Sequence, residues 1–328
     1  MRRGPFLILI VSVGALFLVS LLVTRGLTAF DSAWWTMLVF EPGLAETVFL
    51  EIRMPRAVLG LAVGFSLGIG GAIMQGLLRN PLADPGIIGT SGGAALGAVV
   101  VFYFGFAGAS PLALPIGGLA GAAVSLVLLF VIAGWAASTL TLILAGIAVA
   151  ALSGALTSLA LNLAPSPFAA FEIVSWTMGS LTDRSLDHIW LALPLMAIGS
   201  GLLLTLGRSL DALSLGEDTA VTLGVDIRRT RFLAVSGVAL SVGAAVSVTG
   251  VIGFIGLVAP HLVRRYSGQS PGATLLPSGL AGATLLLAAD IVVRLVSIGP
   301  ELKLGVITAL VGAPFLLHLI SRTRAGGL

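Results

Sequence analysis

Three hundred and twenty-eight residues would suit two soluble domains, but the composition rejects a soluble chain. Hydrophobic residues make up 57% and charged residues only 9%, with a mean hydropathy of +1.12, whereas a soluble domain carries about 25% charged residues. So few charges cannot cover a water-facing surface, and the same numbers exclude disorder, collagen and nucleic-acid binding. The pI near 10.2 rests on 17 basic against 14 acidic residues and reflects sparse charge, not a polycation. The absence of Cys removes disulfides, Fe–S clusters and thiolate metal sites. The chain reads as an all-α, polytopic membrane protein.

Crossing the hydrocarbon layer takes roughly 20 apolar residues in a helix. Met1-Arg2-Arg3 and the apolar run to Thr24 form a first span; the run is too long for a signal peptide and lacks a small-x-small cleavage site. Arg25 to Glu51, with Trp34, Trp35 and Glu41-Pro42-Gly43, reads as an interfacial loop. The second span is Ala57 to Leu78, closed by Arg79-Asn80-Pro81. From Pro85 to Phe171 there is no Asp, Glu, Lys or Arg, and breakers at Gly105 to Pro111 and Ala133 to Thr139 divide the stretch into spans of about 86–106, 112–133 and 140–162. A loop with Pro165, Pro167 and Asp183-Arg184 precedes a sixth span, His188 to Leu206, and Arg208 to Arg231 is a polar break.

Phe232 to Val263 would be roughly 48 Å long as one helix, too long for one span and short for two. The positive-inside rule decides: Arg228, Arg229 and Arg231 precede it and Arg264-Arg265 follow it, so both ends face the cytosol and the chain turns back near Thr249-Gly250. A ninth span (about 273–296), an outer loop (Gly299 to Lys303) and a tenth span (about 304–320) follow. The expectation is ten transmembrane helices in one domain, residues 1–328, with both termini cytoplasmic, 11 basic residues inside and 6 outside. Gly60, Gly64 and Gly68, then Gly89, Gly93 and Gly97, and the pair Gly117 and Gly121 recur every fourth residue, making flat strips where helix backbones approach closely.

Little catalytic chemistry is legible. The single Lys, Lys303, sits in no Walker A loop, and His188, His261 and His318 have no metal-ligand spacing. No catalytic residue, metal ligand or cofactor of the chain itself is expected. Asp290 and Arg294 are the one ionisable pair within a span, four residues apart on one helix face; they fit a functional pair and a self-neutralising structural pair equally. An ion-driven carrier would carry more buried acids, so the energy should come from another chain.

Three segments say more: Arg53-Met54-Pro55-Arg56 with Gln75 to Pro85; Ala212 to Val225; and Gly253-Phe254-Ile255-Gly256-Leu257-Val258-Ala259-Pro260-His261-Leu262-Val263-Arg264. In order and spacing they resemble the FecCD-type permeases of bacterial ABC importers for iron–siderophores, haem and vitamin B12, over nearly the whole chain. The resemblance implies ten helices per subunit and a multi-pass place in the bacterial inner membrane. It implies as partners a second copy of the permease, two cytoplasmic ATPase subunits that bind ATP and Mg, and a periplasmic or lipid-anchored binding protein, with lipid around them. It assigns Arg53, Arg56 and Arg294 to docking of the binding protein, where guanidinium groups can pair with carboxylates, with snorkelling at a helix start the lesser alternative for Arg53 and Arg56. It assigns Asn80 and Leu82, with Ser138 and Thr139 opposite, to the cytoplasmic gate, and makes Pro81 at least a helix stop. Within about 208–231 it assigns Ala212, Leu215, Gly216, Ala220, Leu223 and Gly224 to a coupling helix in an ATPase cleft; an amphipathic surface helix would show Lys or Arg where Glu217 and Asp218 stand.

The function implied is uptake of a metal chelate by alternating access, iron–siderophore before haem and vitamin B12 third; a stand-alone carrier or channel is the alternative from another class. The ten-span topology has a direct check in a chain without Cys: single cysteines at Ser166 and Ser214 are expected to react with an impermeant thiol reagent from opposite sides of the membrane. Labelling from one side would overturn it.

Overall fold

The computed structural model describes residues 3–23, 41–135, 137–268, 270–297 and 300–325; Trp34, Trp35 and most of the expected first loop lie outside the described residues. Seven helical segments among them are long and apolar enough to cross a membrane, against ten expected, and Thr90–Tyr103, Ile255–Arg264 and Leu304–Leu317 are shorter apolar helices in the places of three more. In chain order the principal helices are α1 (Arg3–Leu22), α2 (Pro42–Thr47), α3 (Met54–Leu77), α4 (Thr90–Tyr103), α5 (Ala113–Ala133), α6 (Thr139–Asn162) and α7 (Pro167–Thr177). They continue as α8 (Leu186–Leu204), α9 (Gly207–Ser214), α10 (Glu217–Thr222), α11 (Ile227–Thr249), α12 (Ile255–Arg264), α13 (Pro271–Val296) and α14 (Leu304–Ala325).

Two boundaries differ from expectation. Residues 42–51 are helical, not loop: α2 runs through a π-helical turn, Val48–Arg53, straight into α3. Pro42 and Pro55 sit in the first turns of α2 and α3, where a missing N–H costs nothing. The loop after α6 also contains a helix, α7, which Ser166 caps by accepting from the Ala169 amide at 3.2 Å. The turn expected near Thr249-Gly250 is present, with α11 ending at Thr249 and Gly250 at φ 73°.

Helix α3 is buried along most of its length and forms the axis of the bundle. It meets α13 through its glycines. A Cβ on Gly64 would lie 2.5 Å from the Gly282 carbonyl oxygen, and one on Gly68 would lie 2.1 Å from that of Ser278. On its other side, a Cβ on Gly71 would fall 1.9 Å from the Gly256 carbonyl oxygen at the start of α12. The second strip pairs α4 with α5: a Cβ on Gly97 would be 2.0 Å from the Gly117 carbonyl oxygen, and one on Gly121 would be 2.1 Å from that of Gly93. Lipid gives helices no hydrophobic reason to associate, so this close backbone approach supplies the packing instead. Gly89 departs from the strip: it is the left-handed N-cap of α4, at φ 79°.

Gly68→Ala is expected to destabilise the detergent-solubilised protein by about 1–3 kcal/mol, the usual cost of overpacking, whereas Gly154→Ala, where a Cβ meets nothing within 4 Å, is expected to be tolerated. Equal thermal midpoints for the two variants would contradict the seam.

Candidate functional site

The outer end, where α1 and α13 finish and α3 begins, carries a chain of buried charges. Arg56 donates to Asp290 through Nε at 2.9 Å and Nη2 at 2.8 Å, and also pairs with Glu301. Asp290 receives a second guanidinium, Arg294, at 2.9 Å, one turn along α13. Arg294 reaches on to the Ser20 carbonyl at 2.8 Å, the Val23 carbonyl at 3.1 Å and the Ser20 hydroxyl at 2.6 Å. Arg53 donates to the carbonyls of Leu21 at 3.0 Å and Leu22 at 3.2 Å. A helix leaves its last four carbonyls without intrahelical partners and its C-terminus partly negative. Arg53 and Arg294 satisfy those carbonyls on α1, while Asp290 stands between Arg56 and Arg294.

The three arginines that the family resemblance assigned to docking are therefore drawn together, but inward. Arg53 and Arg294 are buried, and Arg56 keeps only 11% of its side chain exposed. Sequence spacing shows only the Asp290–Arg294 pair, because Arg56 meets its carboxylates more than 200 residues away and the other acceptors are backbone carbonyls of α1. Beside the network opens a polar and aromatic cavity of about 580 Å³ lined by Trp176, Arg184, Glu301 and Lys303 among others. Burial pulls the Arg184 guanidinium below its ordinary value, with Asp183 opposing.

At the inner end α3 stops as expected. Arg79 adopts φ 47°, the Asn80 amide donates to the Gln75 carbonyl at 3.1 Å, and the Asn80 side chain accepts from the Leu82 amide at 2.9 Å. Leu82 is exposed. A cavity of about 240 Å³ lies here, lined by Gln75, Arg79, Asn80, Ser214 and Arg264 among others, and Arg264 donates to Gln75 at 2.6 Å. Nearby, Asp84 accepts from the Gly86 amide at 2.8 Å, and burial pushes its carboxyl above the ordinary carboxylate range. Ser138 caps α6 by accepting from the Thr141 amide at 3.1 Å. Among the described residues no hydrogen bond joins Asn80 or Leu82 to Ser138 or Thr139. The short helix Pro85–Ile88 that follows the first turn packs on α6, where a Cβ on Gly146 would lie 2.2 Å from the Ile87 carbonyl oxygen.

The polar island folds as two short helices, α9 and α10, joined at Gly216. Its orientation differs from the flat Ala/Gly face expected: Ala212 and Ala220 are buried inside the protein, and Gly216 (φ 113°) and Gly224 (φ 83°) serve backbone geometry. Leu215 and Leu223 do face out, and Val221, which the sequence reading passed over, joins them. Its signal was present: a β-branched apolar residue among Thr and acidic residues in a cytosolic segment. His188 proves to be a helix cap, its Nδ1 accepting from the Ser185 amide at 3.2 Å. His261 sets its ring edge-on to Phe315 with centroids 5.6 Å apart, and the side chain of His318 is outside the described residues.

Comparison with known proteins now decides the lineage. The model of the FecCD transport family matches residues 8–322. The chain belongs to that family. It is 41% identical over 291 residues to the cobalamin import system permease BtuC of Halobacterium salinarum, covering 85% of this chain and 74% of that one. It is 38% identical over 283 residues to the ferric enterobactin permease FepD of Escherichia coli, covering 86% and 84%. Among solved structures it matches a chain described as the inward-facing conformation of a transporter assigned to the metal-chelate ABC type, with TM-score 0.87, 30% identity and coverage of 98% and 100%. The FecCD relatives are transport permeases, and this chain is a permease of an ABC importer of the vitamin B12, siderophore and haem family, a multi-pass protein of the bacterial inner membrane.

For this FecCD permease the outer network makes a specific demand. Asp290→Asn leaves Arg56 and Arg294 facing each other without the carboxylate between them, and breaking a buried ion pair on one side costs about 3–5 kcal/mol. A large fall in thermal midpoint is expected, with greater protease sensitivity at the end of α1; an unshifted midpoint would show that the network carries no structural load.

Proposed function

We propose that the chain forms the membrane path of an ATP-driven importer for a bulky metal chelate, with iron–siderophore as the cargo, working as a pair of permeases by alternating access. The observation that carries this is the break between α11 and α12. Residues 250–254 are not helical, and among the described residues no hydrogen bond takes up the amide N–H groups of Val251, Ile252, Gly253 and Phe254. The segment lines an apolar groove of about 670 Å³ with Met178, Val306, Leu310, Pro314 and others. Irregular backbone at membrane depth is tolerated only where protein covers it or a water-filled cavity wets it. A path between two permease copies meets that requirement, whereas a lipid-exposed groove does not. Apolar walls suit a large cargo that slides without tight binding.

Two cytosolic ATPases, which bind ATP and Mg, engage the island, where Leu215, Val221 and Leu223 offer an exposed apolar ridge and Gly216 and Gly224 shape the turns that present it. The turns at Asn80-Leu82 and Ser138-Thr139 bound the inner mouth. A binding protein docks outside over the Arg53, Arg56 and Arg294 network, and Arg56 is the member placed to exchange Glu301 for a carboxylate of the partner. A second cargo, cobalamin, is favoured by the 41% identity to a cobalamin permease.

Proteoliposomes carrying the permease with its ATPase and binding protein test the reading with labelled ferric enterobactin, haemin and cyanocobalamin in competition. ATP-dependent uptake of the ferric siderophore, suppressed by its unlabelled form, is expected. Uptake of cyanocobalamin alone would transfer the assignment to the second cargo, and uptake that persists without the ATPase would overturn the importer reading.

A further inference from the structure

Leu210, Leu213 and Ala220 pack the island into the core, and among the described residues two polar attachments, which differ, fasten it further to the membrane helices. Asp211 of α9 accepts from the Ser270 hydroxyl and the Gly272 amide, both at 2.7 Å, at the start of α13. Helix α13 is locked to α3 by the glycine seam, so this attachment joins the island to the rigid axis. The other attachment runs through Arg231, in the first turns of α11. Its Nη1 donates to the Ala137 carbonyl at 3.1 Å. Its Nη2 donates to the Thr139 hydroxyl at 3.0 Å and pairs with Glu217, the first residue of α10, at 2.6 Å. The Thr139 hydroxyl in turn donates to Glu217 at 3.4 Å, closing a ring of three side chains.

The neighbouring residue grips the same turn from another side. Phe232 lies 5.2 Å from Phe130 and 5.3 Å from Trp135, centroid to centroid, and those two rings are stacked at 5.6 Å. Residues 231 and 232 thus hold both limbs of the turn that leads into α6, and only the Arg231 ring reaches across to the island. The planar fork of an Arg can serve a carbonyl, a hydroxyl and a carboxylate at once, which the point charge of a Lys cannot. Glu217 keeps 40% of its side chain exposed and Arg231 13%, so water reaches the pair and weakens it.

We infer that Arg231 is a positioning residue that transmits displacement of α10 to the Ala137–Thr139 turn, so that whatever moves the island on the cytosolic side moves the inner mouth at the α6 end. The inference rests on the importer reading and adds to it a defined mechanical link. Asp211 holds one end of the island on the fixed axis, and Arg231 couples the other end to the turn; the island acts as a lever between them.

The test uses the full permease–ATPase complex in lipid, with cysteines introduced at the exposed Leu140 and Asp218 and spin-labelled, since the chain has no Cys of its own. With Arg231 present the label-to-label distribution is expected to be narrow and to stay narrow when ATP is added, the two sites moving as one. Arg231→Met is expected to broaden it and to lower cargo transported per ATP hydrolysed by about tenfold, within the range of coupling energies for residues in one network. Glu217→Gln added to Arg231→Met should do little more, and Arg231→Glu combined with Glu217→Arg should recover part of the loss. Should Arg231→Met fail to assemble, Arg231→Lys, which keeps the charge and loses the fork, is expected to give an intermediate distribution and an intermediate yield. A narrow distribution with full transport per ATP in the Met variant, or in the Lys variant where Met does not assemble, would overturn the link, as would fully additive effects of the two single substitutions. If the unmodified complex takes up none of the three chelates, the importer reading fails, while the distance distributions still decide whether Arg231 joins the island to the turn.

Discussion

The backbone contact between α3 and α13 is the constraint on which the other elements depend. In lipid, burying apolar side chains gains little, so helices hold together by van der Waals fit and polar contacts. Gly64, Gly68 and Gly282 let the backbones meet directly at three points, where carbonyl oxygens of one helix lie within 2.5 Å of where a Cβ would stand on the other. With α3 fixed in this way, Gly71 receives the start of α12, and the Arg79-Asn80-Pro81 stop is held at the inner mouth. The outer arginines are likewise fixed, because Arg53 and Arg56 flank the start of the same helix that the seam immobilises.

Charge is sparse in this chain, and the outer network shows why it is tolerated where it occurs. Ionisable groups inside a span are costly unless paired. Arg56, Asp290, Arg294 and Glu301 neutralise one another, and Arg53 and Arg294 take up the carbonyls that end α1. One set of guanidinium groups thereby ties α1 to α3 and α13. Arg56 sits at the border of the cluster, with its second carboxylate, Glu301, in the loop before α14.

Two irregular parts lie beside this packed axis. The break before α12 leaves backbone N–H groups without hydrogen-bond partners among the described residues, and the island, packed on the bundle through Leu210, Leu213 and Ala220, is also held by two polar attachments. Such an arrangement separates the parts that must keep their shape from the parts that must move, and a permease that alternates between openings needs both.

Much of this was legible in the sequence alone. Composition and run length determined the membrane class and most of the long spans, because the hydrocarbon thickness fixes how many apolar residues a helix must supply. Basic residues fixed the turn at Thr249-Gly250, and glycine spacing announced both close helix contacts. What the sequence could not determine is where side chains point once helices are packed. Ala212 and Ala220 turned inward and Leu215, Val221 and Leu223 outward because the island docks on the bundle, which periodicity in two short helices is too brief to reveal. Arg294 found the end of α1, and Arg231 found Glu217 and Thr139, across separations in sequence that carry no local signal. Local pattern follows from the solvent each residue must meet; these pairings follow from which backbones can touch, and that only the assembled bundle decides.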